Sequence, residues 1–79
     1  MSKKKARRYY KDEEALKKMG ERIRKARLLK GISIEQLAYD CEVDSSQIGR
    51  MELGKVDYRM SSFLRTAKAL DTDPRELLP

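Results

Sequence analysis

The sequence predicts an all-α domain, a compact bundle of five helices, from three observations. Apolar residues recur at helical spacing in several segments, and no stretch shows sustained two-residue alternation. Residues that start helices (Asp12, Ser33, Asp44, Ser61 and Asp73) each stand before such a segment. The most specific observation is a doubled motif. Ile32-Ser33-x-x-Gln36-Leu37 and Val43-Asp44-x-x-Gln47-Ile48 begin eleven residues apart. Each set has a hydrophobic residue, a capping side chain, a glutamine placed to cap in return and a second hydrophobic residue. This is a capping box enclosed by a hydrophobic staple.

In chain order, residues 1–11 read as a basic arm, disordered when free, and residues 12–79 as the folded domain. Tyr9 and Tyr10 either pack on the first helix or lie in the arm. Asp12 caps a long first helix with Glu13 and Glu14 in its first turn and Arg24, Lys25, Arg27 and Lys30 towards its end, as the helix dipole favours. Leu16, Met19, Ile23 and Ala26 form its apolar stripe, and Gly31 ends it. The doubled motif starts a second helix over about 34–41 and a third over about 45–53, closed by Gly54. Residues 55–60 form a loop. Ser61 caps a fourth helix with Phe63, Leu64, Ala67 and Leu70 inward. Asp73-Pro74-Arg75-Glu76 supplies a cap, a proline at the first helical position and a glutamate to complete the box for a short fifth helix carrying Leu77 and Leu78. Two short helices in such quick succession must turn sharply. That is the construction of a helix-turn-helix, whose second helix usually enters the major groove of DNA.

Composition removes several function classes. Seventy-nine residues make one domain. One cysteine and no histidine leave no disulfide framework within the chain and too few ligands for a structural zinc site, so no metal and no cofactor is expected. Cys41 is a small buried hydrophobe in this reading. The acids are scattered and no glycine-rich phosphate loop is present, which argues against an enzyme. No apolar run approaches the roughly 18 residues of a membrane span, and no apolar stretch follows the basic N-terminus as in a signal peptide. A reducing, cytoplasmic setting is expected.

The net charge of +6 is confined to one place. Residues 1–11 hold six bases and no acid, whereas the remaining thirteen bases balance thirteen acids. Lys3, Lys4, Lys5, Arg7 and Arg8 are therefore expected to contact DNA phosphates. The alternative is a solvated tail that aids solubility.

The third helix has two faces. Ile48 and Met51 pack against Leu37 and Cys41, with the small Ala38 admitting close approach. The opposite stripe carries Ser45, Ser46, Gly49, Arg50 and Leu53, flanked by Gln47. Hydroxyls, an amide and an arginine are groups that read base edges, and the arginine fork matches guanine O6 and N7. Ser45, Ser46, Gln47 and Arg50 are the expected base-reading residues.

Gly20-Glu21-Arg22-Ile23-Arg24-x-x-Arg27, Lys30-Gly31-Ile32-Ser33, Leu37-Ala38, Ser46-Gln47-Ile48-Gly49-Arg50-Met51-Glu52-Leu53-Gly54-Lys55, Ala67-Lys68-Ala69-Leu70 and Glu76-Leu77-Leu78 together resemble the Xre/Cro–C1 family of helix-turn-helix regulators. The resemblance covers roughly residues 19–78. It implies a five-helix, lambda-repressor-like domain with the third helix as recognition helix, in a bacterial or phage-like setting. It implies an ion pair between Arg27 and Glu52, which agrees with a glutamate turned inward and away from phosphates. It also implies phosphate contacts from Ser33 and Gln36 at the start of the second helix and from Lys55, Tyr58 and Arg59 after the third. Three positions depart from the family pattern. Glu42 stands where the turn usually has glycine; either it takes a positive φ under strain or the turn is a variant. Ile34 replaces a polar residue that contacts phosphate, and Thr66 replaces a larger aliphatic.

The function expected is sequence-specific binding of double-stranded DNA by a small transcriptional regulator. One recognition helix reads few base pairs, so a homodimer on a two-fold site is expected. Leu77, Leu78 and the exposed parts of the last two helices are its expected surface. The alternative is an antitoxin or other protein-interaction module.

Overall fold

The computed structural model describes residues 12–79. Five helices follow one another, α1 (Glu13–Lys30), α2 (Ile34–Cys41), α3 (Ser45–Glu52), α4 (Met60–Ala69) and α5 (Pro74–Leu77), and no strand occurs among the described residues. α1 packs on α3 and α5, α2 on α3 and α4, and α4 on α5. The core is one cluster of buried side chains, among them Ile23, Leu37, Cys41, Ile48, Met51, Phe63 and Leu77.

The doubled motif of the sequence is a doubled connector. Residues 31–33 and 42–44 each supply a left-handed residue, a hydrophobic residue and an N-cap. Gly31 lies at φ 77° and Glu42 at φ 60°. Behind each, the chain closes the preceding helix with the paired backbone bonds of a Schellman motif. Ile32 N–H donates to the Arg27 carbonyl at 3.3 Å and Gly31 N–H to Leu28 at 3.1 Å. Val43 N–H donates to Ala38 at 3.0 Å and Glu42 N–H to Tyr39 at 3.2 Å. Ile32 and Val43 therefore belong to two helices at once. Each follows the end of one and precedes the cap of the next, and each packs on the core. This double use lets three residues join two helices. α3 and α4 end in the same way, with Gly54 and Asp71 in the left-handed position.

The caps differ from the predicted boxes. Ser33 Oγ accepts from Gln36 N–H at 3.0 Å, as expected, but the Gln36 amide bonds Asp40 rather than returning to the cap. Asp44 occupies the N-cap of α3 with extended backbone and no side-chain cap bond. The Asp12 carboxylate accepts from Ala15 N–H at 3.0 Å and starts α1 as predicted. Asp73 accepts from Arg75 N–H and pairs with the Arg75 guanidinium. The side-chain bonds from Arg75, then its backbone N–H, hold the Asp73 carboxyl down to about 2.

Two expectations for α4 are corrected. Ser61 does not cap it, because the helix begins at Met60, two residues before the start such a cap would give, with Arg59 at the N-cap. Leu64 is 48% exposed, and the inward place in that turn belongs to Thr66, which is buried. Thr66 tolerates burial because its hydroxyl donates to the Ser62 carbonyl at 2.8 Å. Cys41 is buried against it, Sγ to Oγ1 3.8 Å, and burial pushes the thiol pKa up.

The contact that positions α3 depends on a glycine. A β-carbon on Gly20 of α1 would lie 2.3 Å from the Met51 carbonyl oxygen and 2.5 Å from that of Glu52. The two backbones meet there with no space for a side chain, which fixes how deeply α3 sits against α1.

Candidate nucleic-acid interface

The orientation of α3 follows from three inward side chains. Ile48, Met51 and Glu52 are buried, the first two in the apolar cluster and the third against Arg27. Arg27 Nε donates to Glu52 Oε2 at 2.7 Å and its Nη2 to Oε1 at 3.2 Å. The remaining Nη1 donates to the Ile32 carbonyl at 2.9 Å. One guanidinium thus ties α1 to both α3 and the connector before α2. The side chains are 9% and 4% exposed, and hydrogen bonding to Glu52 raises the Arg27 pKa further despite the burial.

What remains outside is the stripe the sequence pointed to. Ser45, Ser46, Arg50 and Leu53 are exposed, and Gln47 and Gly49 are half-buried at its edge. Gln47 Oε1 accepts from Arg50 Nη2 at 3.4 Å, a long contact across one turn. The amide predicted to cap Asp44 is therefore directed along the outer face towards the arginine. Nothing stands within 4 Å of a β-carbon built on Gly49, so the centre of the face is smooth and open. α3 has a single acid, Glu52, and it is the buried one.

The phosphate-contact expectations divide. Ser33 and Gln36 are exposed at the start of α2. The Ser33 hydroxyl oxygen serves the cap, so its own proton remains available for donation. Gln36 Nε2 donates to Asp40 Oδ1 at 2.9 Å, so its amide must leave a carboxylate to serve a phosphate. Ile34, where a polar residue was expected, packs on the core. Lys55 and Arg59 are exposed beyond α3. Tyr58 is the correction. Its ring stacks near Phe63, with centroids 6.4 Å apart, and its hydroxyl is buried with no hydrogen-bond partner. Burial, with Asp57 adding to it, pushes that hydroxyl up to about 12. So placed, Tyr58 presents no hydroxyl to a phosphate. Lys3, Lys4, Lys5, Arg7 and Arg8 lie outside the described residues.

Sequence reasoning missed Lys17. Its Cα would lie 2.6 Å from a β-carbon on Gly54, so the α1 backbone abuts the exit of α3. Lys17 and Lys55 line one cleft with Glu13, Leu53 and Gly54. No local pattern gives this neighbourhood, because the two lysines come from opposite sides of the doubled connector. Among the described residues no group of His, Cys, Asp or Glu is placed to hold a metal ion, and no helix is long and apolar enough to cross a membrane.

With this geometry established, comparison with known proteins is informative. Residues 18–78 match a family model described as a helix-turn-helix domain. The chain is 32% identical over 60 residues to the control protein C.BamHI of Bacillus amyloliquefaciens, covering 75% of this chain and 74% of that protein. The crystal structure of the restriction-modification controller protein C.AhdI from Aeromonas hydrophila is similar at 41% identity and a TM-score of 0.77, over 80% of this chain and 96% of that one. The DNA-binding domain of BldD shares the fold at 21% identity, with a TM-score of 0.78, over 87% of this chain and 100% of that one. Motif, fold and relatives agree: the chain belongs to the helix-turn-helix family of Xre/Cro–C1-type transcriptional regulators, which are not enzymes.

Proposed function

We propose that this protein binds a specific double-stranded DNA site as a homodimer, with α3 in the major groove and Ser45, Ser46, Gln47 and Arg50 at the base edges. One observation carries the reading. The outer face of α3 has lost every negative charge, because the only acid of the helix is buried against Arg27, and it offers an exposed arginine on a smooth surface. Such a face suits guanine recognition in the groove. Phosphates are contacted by Ser33 and the backbone at the start of α2, by Gln36 once it releases Asp40, by Lys55 and Arg59, by Lys17 and by the basic arm. Regulation of transcription in the cytoplasm follows from this reading. The likeness to C.AhdI and C.BamHI supports a controller of a restriction–modification system as the particular role.

The dimer surface falls on the outer side of α4. Met60 is 63% exposed and Leu64 48%, one helical turn apart, with Leu78 at 39% beyond α5. Leu77, expected there from the sequence, is 2% exposed and belongs to the core. Selection of bound fragments from a random DNA pool tests the function, and an enriched site with two-fold symmetry is the expected result.

A further inference from the structure

The leading end of α3 carries a carboxylate with no capping task. Asp44 stands at the N-cap in extended conformation, φ −68° and ψ 146°, and makes no side-chain cap bond. Its backbone alone starts the helix, the carbonyl accepting from Gln47 N–H at 3.0 Å and Ile48 N–H at 3.3 Å, while the residue is exposed. The N-caps of α1, α2 and α5 behave otherwise. Asp12, Ser33 and Asp73 each accept a backbone N–H through the side chain. Gln47, the other half of the expected box, is also released, and its amide meets Arg50. Asp44 and Gln47 line one open cleft at the start of α3 with Glu42 and Val43.

An ionised carboxylate can only accept hydrogen bonds. In the major groove guanine presents N7 and O6 and thymine presents O4, all acceptors, and adenine sets its N7 acceptor beside the N6 amine. Cytosine presents the N4 amine alone. A carboxylate therefore matches cytosine and is opposed by acceptors on the other three edges. Phosphates on either side repel its charge, and the positive end of the α3 dipole offsets that repulsion at the N-cap. Asp44 precedes Arg50 by six residues, which separates them by about 9 Å along the helix axis. At about 3.4 Å per base step this is more than two steps, so the two side chains address different base pairs.

We propose that Asp44 is a further specificity-determining residue, which accepts a hydrogen bond from the N4 amine of a cytosine at a base pair other than the one Arg50 reads. The proposal rests on the placement of α3 in the major groove given above. It turns the residue that the sequence marks as a helix cap into a selector of one base, and it explains why neither half of that capping box is formed.

The test is selection of bound fragments from a random DNA pool with the full wild-type chain, Asp44→Asn, Asp44→Ala and Arg50→Ala. The wild-type chain is expected to enrich a cytosine at one position of each half-site. Both Asp44 variants are expected to lose that preference, and Arg50→Ala to lose one at a different position. On the selected site, replacing the C·G pair by T·A is expected to weaken the wild-type chain about tenfold and the Asp44 variants little. Asparagine caps helices as well as aspartate does, so loss of the preference in Asp44→Asn reports the carboxylate rather than the fold. If Asp44→Ala fails to fold, Asp44→Asn decides. An enriched wild-type site at which Asp44→Asn keeps every preference would overturn this proposal and leave the reading of α3 standing. A pool with no enriched site would overturn both.

Discussion

Arg27 and Glu52 meet through two hydrogen bonds in the interior, and the same guanidinium holds the Ile32 carbonyl. The pair fixes α3 against α1 and removes the one acid of α3 from its exposed face. Loss of one partner leaves a buried charge uncompensated, so Arg27→Met or Glu52→Met is expected to lower stability by about 3–5 kcal/mol. The double substitution Arg27→Met, Glu52→Met is expected to recover much of that loss, because a buried pair replaced by apolar groups of similar volume is often close to neutral. Urea denaturation of the four proteins measures the cycle. Additive losses would show that the two side chains act separately.

Gly49 separates stability from binding. Nothing stands within 4 Å of its missing β-carbon, and it lies within a helix. Gly49→Ala is expected to stabilise the free protein by about 0.8–1.0 kcal/mol through helix propensity. With α3 in the major groove as proposed, the same methyl enters the space of a base pair, so DNA affinity is expected to fall. Thermal melting and fluorescence anisotropy on the same preparation check both halves.

Glu42 holds a left-handed conformation at φ 60° in the connector between α2 and α3. A non-glycine residue there costs about 1–2 kcal/mol, and a glycine loses about 0.5–1 kcal/mol to unfolded-state entropy. Glu42→Gly is therefore expected to stabilise by up to about 1 kcal/mol, seen as a rise of a few degrees in Tm. Specificity is expected to stay unchanged, since the substitution keeps the geometry that α3 needs.

Deleting residues 1–8 removes five of the six bases of the arm and leaves a nearly neutral chain. The slope of log K against log salt is expected to flatten by up to about 4–5 units if all five contact phosphates. Anisotropy titrations between low and moderate salt measure it.

Most of the fold was legible because the helix ends are written locally. Asp12, Ser33 and Asp73 cap as predicted, and α2 has the predicted bounds. The errors come where a local signal competes with a distant one. Ser61 reads as a cap, yet Arg59 stands at that position. Leu64 reads as core, but Thr66 faces Cys41 and finds its bond within its own helix. Leu77 and Leu78 are alike in sequence, and only the packing of α5 buries one and exposes the other. The exposed stripe of α3 could be deduced from the two faces of a single helix. The buried Tyr58 hydroxyl and the Lys17–Lys55 cleft could not, because each depends on segments far apart in the chain.

The central claim is that Arg50 reads a base from the exposed face of α3. Binding-site selection from a random DNA pool, run in parallel with the wild-type chain and Arg50→Ala, tests it most directly. The account predicts a two-fold symmetric wild-type site and, for the variant, loss of preference at one position of each half-site at a cost of about 1–3 kcal/mol. An identical preference for both proteins would contradict it.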